Sequence, residues 1–431
     1  MGYILLMSLF AVEVSFFIWS LWTKETHTKE KSITYLGMTL LMIVGFSTGL
    51  LSFGFRYYLM ILFISIKVSL SIVRLIKKRQ PHYRGLKNIR HLILNTLTLV
   101  FVLMPAIVFP QYKALPVSGP YVVKHDKFTW VDDTRIDAYE EDDAFRALTV
   151  EFWYPSDTSK TYPLVVFSHG AFGYSGSNFS TFMALASNGY VVASIGHTHQ
   201  AFFTKDTSGK LTIVDQGFIQ EAIAINAMID TQSEALVYET TQACMTLRTE
   251  DTNFVLDTII SLKESESTSL FGLIDITKIG VFGHSLGGAS AAQIGRIRND
   301  IDAVIVLDGT MLGEEVDFVD GSVVLNDIPY SVPLLNVYAE DHYQNAMTYV
   351  GDRYNNFYAS SHAVDAHETV FLGAGHLNFT DLPLFSPILA GILGVGSVDE
   401  VKCIEQMNDV VVSFFDYYLK AEGTLEIKEA Y

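Results

Sequence analysis

The segment best equipped for chemistry is Gly283-His284-Ser285-Leu286-Gly287. A serine hydroxyl is a poor nucleophile until a base removes its proton and an acid orients that base. Presenting it on a sharp strand-to-helix turn leaves room only for small neighbours, and Gly283, Gly287 and Gly288 are such neighbours here. Val281-Phe282 ahead of the turn reads as the end of a strand, and Ala289-Ser-Ala-Ala behind it as a small-residue helix. The first amides of that helix would face a developing oxyanion.

The remaining parts of an acyl-transfer site can be sought in the same way. His376, in Gly373-Ala-Gly-His-Leu-Asn-Phe, follows the last strand-like run and is the expected base. Three acids lie at strand ends, Asp308 after one run and Glu340 and Asp341 after the next, and position alone leaves the choice open. Two backbone donors are needed for the oxyanion. Leu286 is expected to supply one, and Ala171, in Phe167-Ser-His169-Gly170-Ala171, the other. His169 reads as a brace of that loop and His284 as a packing residue behind the turn. His197-x-His199 has metal-binding spacing but no third ligand near it, so a loop role is expected. No metal or other cofactor is required by this constellation.

These residues need a frame. Ala147–Tyr154 alternates and ends at Pro155, as one strand of an early antiparallel pair. Short apolar strands follow at Leu164–Phe167, Tyr190–Ile195, Lys278–Gly283, Ala303–Leu307, Pro333–Tyr338 and Glu368–Leu372, with helical stretches between them. Such alternation predicts an α/β fold with a mainly parallel sheet covered on both faces. Asp251–Leu262 is expected to be a crossover helix, which leaves 201–246 as an insertion suited to cover a cleft.

Ahead of this domain lie four apolar runs, Tyr3–Trp22, Ile33–Phe53, Tyr57–Val73 and His91–Pro110. Each approaches the roughly 20 residues that a spanning helix needs. The expected division is therefore a transmembrane helical region over 1–112 and a catalytic domain over 113–431. The first run lacks a basic leader and a cleavage site and reads as retained. Arg74, Lys77, Lys78, Arg79, Arg84, Lys87 and Arg90 crowd the loop before the fourth run, which predicts that loop to be cytoplasmic. With four spans, the N-terminus and the catalytic domain would both lie outside, on a multi-pass plasma-membrane protein. Glu13, with no obvious partner, and Lys67 lie inside runs, where an intramembrane charge is a candidate for function. Residues 1–110 carry 12 Lys/Arg against 3 Asp/Glu, whereas the rest carries 17 against 44. An acidic soluble face disfavours nucleic acid as a partner. Cys244 and Cys403 show no metal or redox spacing and read as free thiols or one bridge.

From about Leu115 onward the chain resembles the platelet-activating-factor acetylhydrolase family of the α/β-hydrolase superfamily. The resemblance rests on Pro116-Val-Ser-Gly-Pro-Tyr, Trp153-Tyr-Pro, Phe167-Ser-His-Gly, Arg248-x-x-Asp251 with Phe254-Val-Leu-Asp257, the Ser285 elbow, Val306-Leu-Asp-Gly and Gly375-His-Leu-Asn-Phe. It implies the α/β-hydrolase fold. It also implies Asp308 as the acid and hydrolysis of short or oxidised acyl chains from phospholipids without calcium. The membrane runs depart from the lipoprotein-borne members. A general carboxylesterase or acyltransferase on small non-lipid esters is the alternative expectation, and a non-catalytic membrane sensor a third.

Overall fold

The apolar runs fold as helices α1 (Gly2–Thr23), α2 (Thr28–Ser47), α3 (Phe55–Ile76) and α4 (Gly85–Val108) in a computed structural model. The structure describes residues 1–77, 81–140, 143–228, 234–265 and 270–431; Lys78 and Arg79 of the basic loop lie outside them. Helices α1, α3 and α4, at 22, 22 and 24 residues, are long and apolar enough to cross a membrane. The expected region of about four helices is present, and among the described residues three of the four meet that length and hydropathy. The second run breaks at Ser47 instead of continuing to Phe53, and its first turns carry Lys29, Glu30 and Lys31.

The chain divides into two compact units, 1–113 with 383–392, and 114–382 with 393–431. In the first, α1 and α3 each pack on α4, and α2 packs on α3. Glu13, expected to be partnerless, is buried and well supplied. It accepts from Lys31 Nζ at 2.6 Å, Asn95 Nδ2 at 2.9 Å and the Tyr35 hydroxyl. Lys67 turns inward and donates to Asn95 Oδ1 at 2.9 Å. A charge in an apolar unit survives only when its polar atoms are partnered in this way. The segment 383–392 joins this unit through its own apolar residues. Phe385 lies 5.1 Å from the Phe109 ring, and Ser386 Oγ donates to the Val108 carbonyl at 2.6 Å.

The second unit is built on eight strands, β1 (Val123–Ile136), β2 (Phe145–Pro155), β3 (Tyr162–Ser168), β4 (Val191–Gly196), β5 (Ile274–His284), β6 (Ala303–Leu307), β7 (Leu334–Ala339) and β8 (Ala366–Phe371). Their order in the sheet is β1-β2-β4-β3-β5-β6-β7-β8. β1 and β2 are antiparallel, β2 meets β4 antiparallel, and every pair from β4 to β8 is parallel. Successive side chains point to opposite faces of a strand. Val166 and Val281 accordingly pack with Val255 and Ile259 of one helix and Ala291 and Ile294 of another, while Phe167 and Phe282 meet Phe182 and Phe415 on the other face. The covering helices are α5 (Phe179–Ser187), α6 (Gln216–Met228), α7 (Glu234–Ser265), α8 (Leu286–Ile297) and α9 (Glu400–Lys420).

The stretch 201–246 does not end where the sequence reading placed its boundary. It holds a short hairpin, Phe203–Lys205 with Leu211–Ile213, and α6, but α7 begins at Glu234 and runs unbroken through the expected crossover to Ser265. No glycine or proline interrupts that helix. Cys244 and Cys403 are free thiols.

Candidate active site

The strand ladder delivers Ser285, the expected nucleophile, and Asp308, one of the candidate acids, to one edge. Ser285 N donates to Leu307 O at 2.9 Å, and Asp308 N donates to Val337 O at 2.7 Å, so the ends of β5, β6 and β7 are tied in sequence. Both residues are held at positive φ, 56° at Ser285 and 48° at Asp308. For residues with a side chain this conformation is strained and persists only where the surroundings impose it. The elbow shows what imposes it. A Cβ on Gly283 would sit 2.2 Å from the Gly287 carbonyl carbon, and one on Gly287 would sit 1.9 Å from Ser168 O. Neither position can carry any other residue.

His376 opens a short turn after β8, held from three sides. Asn378 Oδ1 accepts from the amides of Gly375 and Gly396, and the His376 carbonyl accepts from His284 Nε2 at 2.9 Å. His284 is therefore more than packing; its ring lies 4.4 Å from that of His376. Burial pushes the His284 imidazole down to about 3, which keeps it a neutral donor.

Of the three candidate acids, Asp308 is the one beside the histidine, with Oδ2 2.7 Å from His376 Nδ1. Asp308 Oδ1 accepts from the Ala339 amide at 2.7 Å. Glu340 instead accepts from the Gly373 amide at 2.7 Å, and Asp341 from the amide of His342. A further residue, not foreseen from sequence, shares Asp308. His342 Nδ1 lies 2.8 Å from the same Oδ2. Burial works against the charge of Asp308, yet hydrogen bonds from His342 and His376 hold its carboxyl well below the usual range. The same bond raises the His342 pKa. The one signal for His342 in the sequence was its place in a run of ionisable residues at a strand end.

Among the described residues, the Ser285 hydroxyl makes no hydrogen bond, to His376 or elsewhere. Nor is either expected oxyanion donor, the amide of Leu286 or of Ala171, taken up by a protein acceptor. Such bonds commonly form only once substrate is present.

The loop that carries Ala171 is braced from beneath by a buried polar network. Arg248 donates to His169 O and to Gln200 Oε1, both at 2.6 Å. His169 Nδ1 lies 2.7 Å from Gly170 O, while its Nε2 accepts from the His197 amide. His197 lies between Ser168 Oγ and Asp251 Oδ2, 2.9 Å from each. This is a second serine–histidine–aspartate relay, but Ser168, His197 and Asp251 are all buried and Ser168 closes a strand rather than a turn. Arg146 completes it with bonds of 3.0 and 2.8 Å to Asp251. His197 and His199 part company: His199 stacks on Tyr139 and lies 3.3 Å from Glu140. The insertion reaches the loop as well, since Phe202 N donates to Gly173 O at 2.8 Å and Phe218 of α6 packs on the Phe172 ring.

The family model described as platelet-activating factor acetylhydrolase, isoform II, matches residues 146–426. Two curated relatives bear the name platelet-activating factor acetylhydrolase. The protein from Cavia porcellus is 24% identical over 278 residues, 62% of this chain and 59% of that protein. The protein from Canis lupus familiaris is 28% identical over 166 residues, 37% of each chain. The chain thus spans 59% or less of these relatives' lengths. Among solved structures, a ferulic acid esterase from Streptomyces cinnamoneus superposes with a TM-score of 0.54 at 22% identity, covering 72% of this chain and 93% of the esterase. At that identity the likeness concerns the fold, and the fold is that of the α/β-hydrolases.

Proposed function

The chain belongs to the platelet-activating factor acetylhydrolase, isoform II, family, and on that premise we propose that it is a serine ester hydrolase acting on short or oxidised acyl chains of phospholipids. Ser285 is the nucleophile, His376 the base and then the acid, and Asp308 the residue that orients the imidazole. His376 Nε2 takes the hydroxyl proton as Ser285 Oγ attacks the ester carbonyl. The oxyanion is received by the amides of Leu286 and Ala171. Collapse expels the alcohol, which takes the proton back from His376 and leaves an acyl-serine. Water, deprotonated by the same imidazole, then releases the carboxylic acid. The Asp308 carboxylate keeps the Nδ1 proton in place throughout, so that Nε2 stays free to accept. The observation that carries the reading is the 2.7 Å bond from His376 Nδ1 to Asp308 Oδ2, behind a serine held at a φ of 56°.

The helical unit anchors this domain in a membrane. We place the basic turn between α3 and α4, with Arg74 at the end of α3, Lys77 and Arg84 between them and Lys87 and Arg90 at the start of α4, in the cytoplasm of a plasma-membrane protein. The hydrolase unit, which follows α4, then lies outside, in reach of the outer leaflet. Whether α2 crosses decides only the side of the N-terminus, which lies outside as well if it does.

The activity is tested by fluorophosphonate labelling of the detergent-solubilised chain, with Ser285→Ala as the comparison. Labelling and p-nitrophenyl acetate hydrolysis should both vanish in the variant, and normal turnover there sinks the proposal. A panel of acetyl, butyryl and long-chain phospholipids beside simple esters reads the substrate class. Equal rates on simple esters and short-acyl phospholipids would favour a general carboxylesterase.

A further inference from the structure

Asp308 serves two histidines, and the triad needs only one. We propose that Asp308, His342 and His376 together form a binding site for a divalent transition-metal ion of the zinc type, and that its occupation arrests hydrolysis. The arrest rests on the esterase reading above; the binding does not.

Three donor atoms, Asp308 Oδ2, His342 Nδ1 and His376 Nδ1, lie within 4.8 Å of one another. The two N···O separations, 2.7 and 2.8 Å, are those of hydrogen bonds, each with a proton between the atoms. A zinc ion bonded to each donor at about 2.0–2.2 Å would hold them roughly 3.4 Å apart in a tetrahedral shell. The required opening is therefore about 0.6 Å, set by the same bond lengths. Both rings must draw back by that amount from Asp308 Oδ2, and both are partly exposed, His342 the more so. Its side chain is 45% exposed, against 31% for His376 and 1% for Asp308. An ion would approach from the histidine side with the carboxylate at the back. Asp308 would not need to move, because the Ala339 amide fixes Oδ1 and leaves Oδ2 facing both rings. That amide is also the kind of second partner that keeps a ligating carboxylate in line.

Two imidazoles and one carboxylate suit zinc, copper, nickel or cobalt rather than calcium or magnesium, which prefer all-oxygen shells. Three protein ligands leave a fourth position for water. The consequence for catalysis follows from which nitrogen is used. An ion on His376 Nδ1 replaces the proton that Asp308 holds there and adds positive charge to the ring. The imidazole then no longer lines up with Ser285 and becomes a poor base. Binding and acid orientation compete for one carboxylate oxygen, so the site acts as an off switch and not as a Lewis-acid centre.

The test uses the whole 431-residue chain in detergent, stripped with EDTA and titrated with Co²⁺. Visible d–d absorption should grow to one ion per chain and be bleached by Zn²⁺. Zn²⁺ should inhibit p-nitrophenyl acetate hydrolysis over the same concentration range, and EDTA should restore it. His342→Gln should lose the absorption and raise the Zn²⁺ concentration for half-inhibition at least about tenfold. Ser285→Ala should keep the absorption while lacking turnover. A wild-type chain that hydrolyses ester but shows no Co²⁺ bands at millimolar metal overturns the site. Unchanged Zn²⁺ sensitivity in His342→Gln overturns it too. Co²⁺ bands in a chain without turnover would leave the site standing and sink the esterase reading alone.

Discussion

Replacing Asp308 by asparagine is the sharpest test of how the histidine is held. The side chain is buried and its two oxygens have distinct duties: Oδ1 accepts from the Ala339 amide at 2.7 Å, and Oδ2 faces His376 and His342. In the variant the amide oxygen keeps the Ala339 bond, because no donor can replace it there. The amide NH₂ must then face both imidazoles. It can only donate, so His376 Nδ1 becomes the acceptor and its proton moves to Nε2, the atom that has to take the proton of Ser285. A base with the wrong tautomer is no base. The expected cost in kcat is about 10,000-fold, or about 5.5 kcal/mol at 1.36 kcal/mol per decade. KM should change little, since Asp308 would touch no part of the ester. The assay is p-nitrophenyl acetate hydrolysis by the solubilised chain, with the rate of fluorophosphonate labelling as a second readout. Asp341→Asn and Glu340→Gln are the comparisons, and the former should stay within about threefold of wild type because, among the described residues, Asp341 bonds the amide of its neighbour and not His376. A kcat for Asp308→Asn within tenfold of wild type would refute the reasoning, as would a loss of equal size in Asp341→Asn.

Three other perturbations follow from the same geometry. Gly287→Ala puts a methyl group 1.9 Å from Ser168 O and 2.7 Å from His169 O, so the elbow cannot close; fluorophosphonate labelling should be lost, and labelling at the wild-type rate would contradict the packing described. Asp251→Asn leaves the buried Arg146 with one acidic partner, Asp137, at 3.0 Å, and should lower unfolding free energy by about 3–5 kcal/mol in chemical denaturation. Burial pushes His197 and His284 down to about 3 and His169 well below its ordinary value. The unfolded chain binds these protons near pH 6.5 and the folded chain does not. Stability is then full above that pH and falls as pH drops through the window toward 3, by up to about 1.4 kcal/mol per pH unit for each group. Melting temperature should drop steeply from pH 6.5 to 5, and a flat profile would count against neutral buried imidazoles.

The elbow and His376 were legible because their signals are local: glycines within two residues of Ser285, and a histidine in a short turn after a strand. The choice among Asp308, Glu340 and Asp341 was not local. It depends on a positive φ at Asp308 and on the tie between β6 and β7, neither of which a single sequence displays. The Ser168–His197–Asp251 relay was hidden for a similar reason, since its members come from β3, the loop after β4 and the middle of α7. The His197-x-His199 spacing gave no hint of it, because spacing records separation along the chain and not direction in space. Glu13 seemed partnerless because Lys31, Tyr35 and Asn95 reach it from two other helices. The length of α2 misled for another reason: residues Thr48–Phe53 are apolar enough to extend the helix, but the chain turns there, with Leu51 folded back to donate to Gly45 O.

The assignment of 383–392 to the helical unit bears on how the molecule can be taken apart. The polypeptide leaves the hydrolase seven residues after His376, contributes Pro383–Ile392 to the apolar unit, and returns for α9. No single cut therefore frees the α/β unit. A chain beginning at residue 114 would still carry Leu382-Pro-Leu-Phe-Ser-Pro-Ile-Leu-Ala-Gly-Ile-Leu with its partners Phe55, Phe109 and Val108 gone. A mostly apolar segment of this length left bare amounts to an aggregation site or a private membrane tether. Solubilising the hydrolase by truncation would require a second edit, a polar bridge from Asp381 to Gly394. That bridge would start within five residues of the histidine whose chemistry it was meant to preserve.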